Sequence, residues 1–225
     1  MHTREAEEEE VRIDTGTAML PGSLTLVPDA RGVVVFAHGS GSSRFSARNQ
    51  SVARQLQMEG FSTLLFDLLT AEEDRDRENR FDLDLLSRRL VDAARWTALR
   101  THGAPIGLFG ASTGAAAALR AAVELGPTVQ AVVSRGGRPD LASMALAHVR
   151  APTLLIVGGS DTEVLALNRD AQVQLPDDTV SRLDVIPGAT HLFEEPGALN
   201  RVATLAAEWF RDHLHREAPQ ARRAS

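Results

Sequence analysis

The stretch PIGLFGASTGAAAALRAAVEL, residues 105–125, decides the fold. Residues 105–109 are predicted to form a buried strand, and residues 113–125 an alanine-rich helix. Between them lies Gly110-Ala111-Ser112-Thr113-Gly114, which matches the pattern Gly-x-Ser-x-Gly at a strand-to-helix turn. A serine in such a turn stands clear of both elements, near the positive end of the helix dipole, where developing negative charge is stabilised. We therefore predict that Ser112 is a nucleophile.

The rest of the chain repeats this alternation of strand and helix. Apolar runs predict strands at residues 32–37, 61–67, 129–134, 153–157 and 181–186, and amphipathic segments predict helices near residues 48–59, 81–94, 141–148, 162–172 and 196–215. Residues 11–13 and 24–27 are predicted as edge strands joined by a Pro21-Gly22 turn. The predicted fold class is α/β, a mostly parallel twisted sheet with helices on both faces.

Length and composition favour a single domain. The chain has 225 residues, of which 43% are hydrophobic and 24% charged, as in an ordinary globular protein. We predict one domain at residues 11–215, with the acidic residues 1–10 and residues 216–225 as mobile tails. Residues 129–153 leave room only for a short excursion, so no large cap domain is expected.

Charge and missing residue types restrict the partners. A formal net charge of −6 argues against a nucleic-acid partner, because phosphate binding requires a basic surface. The absence of cysteine excludes thiolate catalysis and disulfides. No secretory signal and no apolar run long enough to span a bilayer is visible, so a cytoplasmic protein without a membrane partner is expected. Nothing in the sequence indicates the oligomeric state.

A serine hydroxyl needs a base to remove its proton, and the seven histidines are the candidates. In a sheet of this kind the histidine of a serine triad lies on a loop after the last strand. His191 satisfies this condition, because it follows the strand predicted at residues 181–186. The other histidines lie in the N-terminal tail, in the last helix, before strands, or in the loop that begins at His38. We predict that His191 is the base.

The histidine in turn needs an acid that orients it and stabilises its cation. Asp161 lies in Gly158-Gly159-Ser160-Asp161, a tight turn after the strand at residues 153–157 and before His191 in the chain. Asp140, after the preceding strand, is the alternative, since some proteins of this fold place the acid there. The turn favours Asp161.

Backbone N–H groups are predicted to bind the oxyanion. One donor is the N–H of Thr113, directly after the nucleophile, and the second is the N–H of Ser40 in the glycine- and serine-rich loop 38–44. This loop lacks the lysine and third glycine of phosphate-binding loops. Arg44 and Arg135 both follow strand ends closely and are candidates for binding a substrate carboxylate, although a structural role is the alternative for each.

These motifs resemble the α/β-hydrolase superfamily, in its small, lidless dienelactone-hydrolase-like branch. The resemblance extends from about Val33 to Leu214 and rests on His38-Gly39-Ser40-Gly41-Ser42, the turn at Ser112, Gly159-Ser160-Asp161 and Thr190-His191. Dienelactone hydrolases carry a cysteine nucleophile, whereas this chain has serine at that position. Some relatives with this loop and with residues 133–141 are fused to a phosphoribosyltransferase domain, which is not expected in this sequence.

Together these features predict a serine hydrolase that cleaves a small carboxylic ester through an acyl-enzyme, with no metal or organic cofactor. Its expected partner is a small-molecule ester or lactone. Two alternatives remain open at this stage. One is a lactonase or thioesterase with the same three residues, and the other is a non-catalytic binding module that has kept the fold.

Overall fold

The computed structural model describes residues 6–215, which form an eight-stranded sheet with the order β1-β2-β4-β3-β5-β6-β7-β8. The strands are β1 (Glu7–Asp14), β2 (Met19–Leu26), β3 (Val33–Ala37), β4 (Ser62–Phe66), β5 (Ile106–Ala111), β6 (Val129–Arg135), β7 (Thr153–Gly158) and β8 (Ser181–Ile186). The helices are α1 (Ala47–Met58), α2 (Leu83–Arg100), α3 (Thr113–Leu125), α4 (Thr162–Gln174) and α5 (Ala198–His213).

From β4 to β8 all neighbouring strands are parallel, and the first two strands add an antiparallel hairpin at one edge. The predicted mostly parallel α/β sheet is therefore confirmed. Because the strands run the same way, the loops after β3, β5, β6, β7 and β8 meet at one edge of the sheet. This is the edge at which parallel α/β proteins bind their ligands.

The apolar side chains form a core on each face of the sheet. On one face α2 and α3 cover residues such as Val35, Leu108 and Val132, and on the other face α1 and α5 cover residues such as Phe36 and Phe109. Burial on both faces explains why these strands are continuous apolar runs rather than alternating ones. The alanines of α3 are small enough to bring this helix close against the strands.

The N-terminal hairpin departs from the sequence prediction in two ways. Residues 7–10, predicted as part of a mobile tail, belong to β1 and pair with β2. Two of their four charges are paired, since Glu9 binds Arg100 and Glu10 binds Arg44, both at 2.8 Å. Residues 1–5 and the predicted tail 216–225 lie outside the described residues.

The second departure concerns Pro21-Gly22, which was predicted to be the hairpin turn. Both residues lie inside β2, and the turn is made by residues 15–18, where the Thr15 N–H donates to the Ala18 carbonyl at 3.0 Å. The Pro21 carbonyl accepts from the Asp67 N–H just beyond β4, so the N–H that proline lacks would face the same end of β4. A proline is tolerated there because it lies just outside the β2–β4 ladder, which begins at Gly22 opposite Phe66, so only a terminal hydrogen bond is lost.

No large cap domain lies above the sheet edge in residues 6–215. Between β6 and β7 the chain forms a 3-10 segment, Pro139–His148, which is kinked at Ser143. Three shorter 3-10 turns complete the structure: Glu73–Arg75, Glu78–Phe81 and Gly126–Thr128. Within the described range, none of the helices has the length and apolar character needed to cross a membrane.

Candidate active site

Ser112 occupies the strained turn that its motif predicts. Its backbone has φ 52° and ψ −121°, a conformation that costs a non-glycine residue about 1–3 kcal/mol. Two hydrogen bonds hold the turn: the Ser112 N–H donates to the Arg135 carbonyl at 3.2 Å, and the Arg138 N–H donates to the Ser112 carbonyl at 3.1 Å. The loop after β6 therefore maintains the conformation of the serine.

The two glycines of the motif allow β5, α3 and β3 to approach closely. A Cβ atom on Gly110 would lie 2.4 Å from the Ala115 Cα, and one on Gly114 would lie 2.2 Å from the Ala37 carbonyl oxygen. Both neighbours are backbone atoms, which cannot move away as a flexible side chain can. The spacing of glycines around Ser112 is thus a packing requirement.

Replacing Gly114 with alanine is expected to lower the free energy of unfolding by at least about 3 kcal/mol, because the added methyl group overlaps the β3 backbone. Gly103→Ala is the matched control: Gly103 has φ +76° but no atom within 4 Å of an added Cβ. Its replacement should cost only the backbone strain of about 1–2 kcal/mol. Thermal and urea unfolding measure both values, and equal losses in the two variants would contradict the packing argument.

His191 and Asp161 lie together, as the sequence analysis predicted. The His191 Nδ1 is 2.7 Å from the Asp161 Oδ2, and the carboxylate is the more enclosed of the two groups. Asp161 precedes α4 directly after β7, and His191 lies in the loop after β8. A carboxylate at Nδ1 keeps the proton on that nitrogen and leaves Nε2 free to act as a base.

The alternative acid, Asp140, is engaged elsewhere. Its two carboxylate oxygens accept from Arg138 Nε and Nη2 at 2.9 and 2.8 Å, a bidentate pair within the loop after β6. This pair holds the segment in which the Arg138 N–H donates to the Ser112 carbonyl. Asp140 is therefore placed to support the loop, and Asp161 is placed to orient His191.

Ser112 and His191 lie at the same edge of the sheet, and each is close to a glycine that follows a neighbouring strand. A Cβ on Gly136, directly after β6, would lie 3.6 Å from the His191 Cε1, and one on Gly39 would lie 3.1 Å from the Ser112 Cβ. Among the hydrogen bonds of residues 6–215, none joins the Ser112 hydroxyl to His191 Nε2. Catalytic bonds of this kind often tighten only when substrate binds.

Glu195 holds the loop that carries His191, a role that the sequence analysis missed. Its Oε1 accepts from the Thr190 hydroxyl at 2.6 Å and from the Thr190 N–H at 3.0 Å. The hydrogen bond from the Thr190 hydroxyl, followed by backbone N–H groups, lowers the pKa of Glu195. No local pattern in the sequence indicates this contact, which reaches five residues back along the chain.

The predicted oxyanion donors are positioned differently from each other. The Thr113 N–H lies at the first position of α3, where helix geometry provides no intrahelical acceptor. The Ser40 N–H instead donates to the hydroxyl of Thr113 at 2.8 Å. The Thr113 side chain thus occupies the second predicted donor, a contact that was not foreseen.

His38 braces the loop that contains Ser40. Its Nδ1 bonds to the Gly39 carbonyl at 3.0 Å, and its Nε2 accepts from the Leu68 N–H at 3.1 Å, so the ring is neutral with the proton on Nδ1. Burial lowers the pKa of His38 against the opposing effects of the Gly39 carbonyl, Asp67 and Asp74. Protonation at Nε2 would remove the bond to Leu68.

Acid is therefore expected to destabilise the fold through His38. Because the pKa of His38 is lower in the folded state, the unfolded state binds the proton first as the pH falls below about 6.5, and stability decreases there. We expect the melting temperature of the wild type to fall more steeply between pH 7.5 and 5.5 than that of His38→Asn. The exposed His148 supplies the control, and His148→Asn should keep the wild-type pH dependence.

The two candidate substrate arginines differ in their charge partners. Arg44 binds Glu10 at 2.8 Å and lies 3.7 Å from Asp67, so its charge is already compensated by two carboxylates. Arg135, the last residue of β6, forms no ion pair within residues 6–215, and its side chain is buried. The contacts of Arg44 favour the structural alternative, whereas those of Arg135 leave a cation unbalanced.

The segment at residues 72–80 borders the same site. Arg80 and Asp74 form a bidentate ion pair and, together with residues 38–41 and Thr113, line a small recess beside the Ser40 loop. Nowhere in the described part of the chain do three or more His, Asp or Glu side chains gather as a metal site.

Residues 20–215, most of the chain, match the model of the family described as the dienelactone hydrolase family. The chain belongs to the dienelactone hydrolase family. The resemblance seen in the sequence is thereby confirmed for the superfamily and for the branch. This member of the dienelactone hydrolase family has serine, residue 112, at the strand-to-helix turn between β5 and α3.

Solved structures give the same answer for the fold of this dienelactone hydrolase family member. A dienelactone hydrolase from Anabaena variabilis is 55% identical, with a TM-score of 0.91 over 94% of this chain and 100% of that chain. Est1E from Butyrivibrio proteoclasticus is 14% identical, with a TM-score of 0.77 over 90% of this chain and 98% of that chain. The second similarity concerns the fold alone.

Two curated proteins of Mycobacterium tuberculosis, from strains CDC 1551 and H37Rv, are 57% identical over 209 residues. Both are named putative phosphoribosyl transferase, and the match covers 92% of this chain but 47% of each relative. The chain therefore spans about half the length of these relatives. Their name describes longer proteins and assigns no transferase activity to the residues described here.

Proposed function

We propose that this chain is a serine hydrolase that cleaves small carboxylic esters, with Ser112 as nucleophile, His191 as base and Asp161 as the orienting acid. The observation that carries the proposal is the 2.7 Å contact between His191 Nδ1 and Asp161 Oδ2, at the sheet edge where Ser112 is held in its strained turn. A serine, a carboxylate and an imidazole in this order along the chain are the parts of an acyl-transfer site.

In the first half-reaction the Ser112 Oγ attacks the carbonyl carbon of the ester while His191 Nε2 takes the hydroxyl proton. The imidazolium, stabilised by Asp161, then gives this proton to the departing alkoxide oxygen, which leaves an acyl-enzyme and a free alcohol. In the second half a water molecule attacks the acyl carbon. His191 accepts one proton of that water and returns it to Ser112, so the carboxylic acid is released and the enzyme is restored.

The negative charge on the carbonyl oxygen requires donors aimed at it. The Thr113 N–H, at the start of α3, supplies one donor together with the positive end of the helix dipole. The Ser40 N–H serves as the second donor when the Thr113 hydroxyl, which it contacts at 2.8 Å, shifts upon substrate binding. Both proposed donors follow the carboxyl ends of neighbouring strands, Ser40 after β3 and Thr113 after β5.

The substrate is proposed to be small because the site has no cap. The 3-10 segment Pro139–His148 is the only insertion between β6 and β7, so a long acyl chain would find little apolar cover there. A lactone is an ester closed into a ring, and the same three residues would open it. The shape of this open edge would therefore determine whether the enzyme prefers esters, lactones or thioesters.

A substrate panel tests the proposal directly. The purified chain is expected to hydrolyse short 4-nitrophenyl esters and to be labelled at Ser112 by a fluorophosphonate, with the modified residue identified by mass spectrometry. Lactones and thioesters of matched acyl length then rank the acyl classes by kcat/KM. If neither labelling nor turnover of any class occurs, the chain is a non-catalytic binding module and the proposal is wrong.

A further inference from the structure

The Ser40 N–H, one of the two proposed oxyanion donors, is already engaged by a side chain. It donates to the Thr113 hydroxyl at 2.8 Å, and Thr113 is buried at the first position of α3. Among the hydrogen bonds of residues 6–215, the Thr113 hydroxyl accepts this one and donates none. The hydroxyl therefore occupies a donor that the proposed reaction needs, and no second hydrogen bond ties it in place.

The backbone around Ser40 and Thr113 is packed too closely for the two residues to move apart. A Cβ atom on Gly114 would lie 2.2 Å from the Ala37 carbonyl oxygen and 2.5 Å from that of His38, so the start of α3 lies directly against the end of β3. The two hydrogen bonds of the His38 ring fix the loop that contains Ser40. Rotation of the Thr113 side chain between its staggered rotamers is therefore the change that releases the Ser40 N–H.

The strength of the acceptor decides which group receives the Ser40 N–H. The carbonyl oxygen of an intact ester and the hydroxyl of Thr113 are both neutral acceptors, so neither displaces the other decisively. The oxyanion carries a negative charge, and a hydrogen bond to a charged acceptor is roughly twice as strong as one between neutral groups. The oxyanion is therefore expected to displace the hydroxyl fully, whereas the intact ester displaces it only in part.

We propose that the Thr113 hydroxyl competes with the bound ester for the Ser40 N–H and gives it up completely only as the oxyanion forms. Thr113 is then a positioning residue that acts through Ser40, and the proposal rests on ester hydrolysis at Ser112. The competition raises the dissociation constant of the intact ester. The barrier from the bound ester to the oxyanion is similar with and without the hydroxyl, because in either case one neutral hydrogen bond is exchanged for a charged one.

Thr113→Val removes the hydroxyl and keeps the branched shape of the side chain, so the Ser40 N–H is free for the ester carbonyl. We expect the dissociation constant of 4-nitrophenyl acetate to fall about 2- to 10-fold, the range for one neutral hydrogen bond, and the rate constant of acylation to change by less than about threefold. Stopped-flow records of the 4-nitrophenol burst at several ester concentrations separate the two quantities. An unchanged dissociation constant would overturn the competition, and a larger loss of the acylation rate would show that the hydroxyl itself stabilises the transition state.

Further variants separate the hydroxyl from the packing of the side chain. Thr113→Ser keeps the hydroxyl, so its dissociation constant should lie nearer to that of the wild type than to that of Thr113→Val. The reverse order would make the methyl group responsible and the proposal wrong. Thr113→Ala also removes the hydroxyl and serves if the valine variant does not fold.

Thr63→Val is the matched control. Thr63 is buried near the start of β4, at the other edge of the sheet, and its hydroxyl accepts from Gln57 Nε2, also at 2.8 Å. This variant loses an accepted hydrogen bond of the same length, and both kinetic quantities should remain those of the wild type. A fall in its dissociation constant equal to that of Thr113→Val would show that the effect does not come from the Ser40 N–H.

Hydrogen exchange of the Ser40 amide tests the competition without turnover. In the free enzyme this proton should exchange with deuterium about 2- to 10-fold faster in Thr113→Val than in the wild type or in Thr63→Val, as measured by NMR. Equal rates would overturn the proposal even if esters are hydrolysed. Faster exchange in Thr113→Val, with a wild type that hydrolyses no ester, would overturn the serine hydrolase and leave the hold of Thr113 on Ser40 standing.

Discussion

Replacing Ser112 with alanine is expected to lower kcat for a short 4-nitrophenyl ester by about 10⁴- to 10⁶-fold. The hydroxyl proposed to form the acyl-enzyme is lost, while the proposed oxyanion donors are retained. The remaining rate should come only from those donors and from substrate binding, as it does when the nucleophile of a serine hydrolase is removed. Burst and steady-state kinetics, together with loss of fluorophosphonate labelling, measure the effect.

Ser160 provides the control for this substitution. It is exposed and lies at the same edge of the sheet, in the turn just before Asp161. Ser160→Ala should keep full labelling and a kcat within about twofold of the wild type, since surface substitutions usually change little. Hydrolysis at an undiminished rate by Ser112→Ala would show that another group is the nucleophile.

The second large effect is expected for Asp161→Asn, which should lower kcat by about 10⁴-fold. The amide cannot stabilise the imidazolium, and its NH₂ group can face His191 Nδ1 only if the ring adopts the wrong tautomer. The 2.7 Å contact makes His191 strongly dependent on this one carboxylate. Steady-state rates with the same short 4-nitrophenyl ester measure the loss.

Asp140→Asn distinguishes the two acids that the sequence left in competition. Asp140 is paired with Arg138, so its replacement is expected to change stability by about 1 kcal/mol and kcat by less than about tenfold. Circular dichroism and thermal unfolding confirm that both variants are folded. A larger loss of kcat in Asp140→Asn than in Asp161→Asn would make Asp140 the acid.

The parallel part of the molecule could be predicted from the sequence, because its strands and its turn at Ser112 are recognisable from short local patterns. The strand-to-helix turn at Ser112 is indicated by consecutive residues, and buried parallel strands are apolar throughout. The positions of Asp161 and His191 follow from the rule that the carboxyl ends of parallel strands meet at one edge. The order of motifs along the chain was then enough to predict which acid lies next to which histidine.

Contacts between segments distant in the chain could not be predicted in the same way. The glutamates of residues 7–10 look like a solvated tail in the sequence, but their backbone pairs with β2, and Arg44 and Arg100 bind two of their carboxylates. The Thr113 hydroxyl and the Ser40 N–H are separated by 73 residues, and no pattern predicts their hydrogen bond. The hairpin turn was predicted at the wrong place because a Pro-Gly pair usually indicates a turn. In this protein the pair lies inside β2, where Pro21 sits at the end of the pairing with β4.

The acidic β1 strand also affects how molecules associate in concentrated solution. As an outer strand it presents unpaired N–H and C=O groups, to which the same strand of another molecule could add and so extend the sheet. The side chains of Glu7, Glu8, Glu9 and Glu10 make this edge strongly acidic. Charged side chains on an outer strand disfavour the addition of a further strand, so β1 protects this side of the sheet against fibril-like growth.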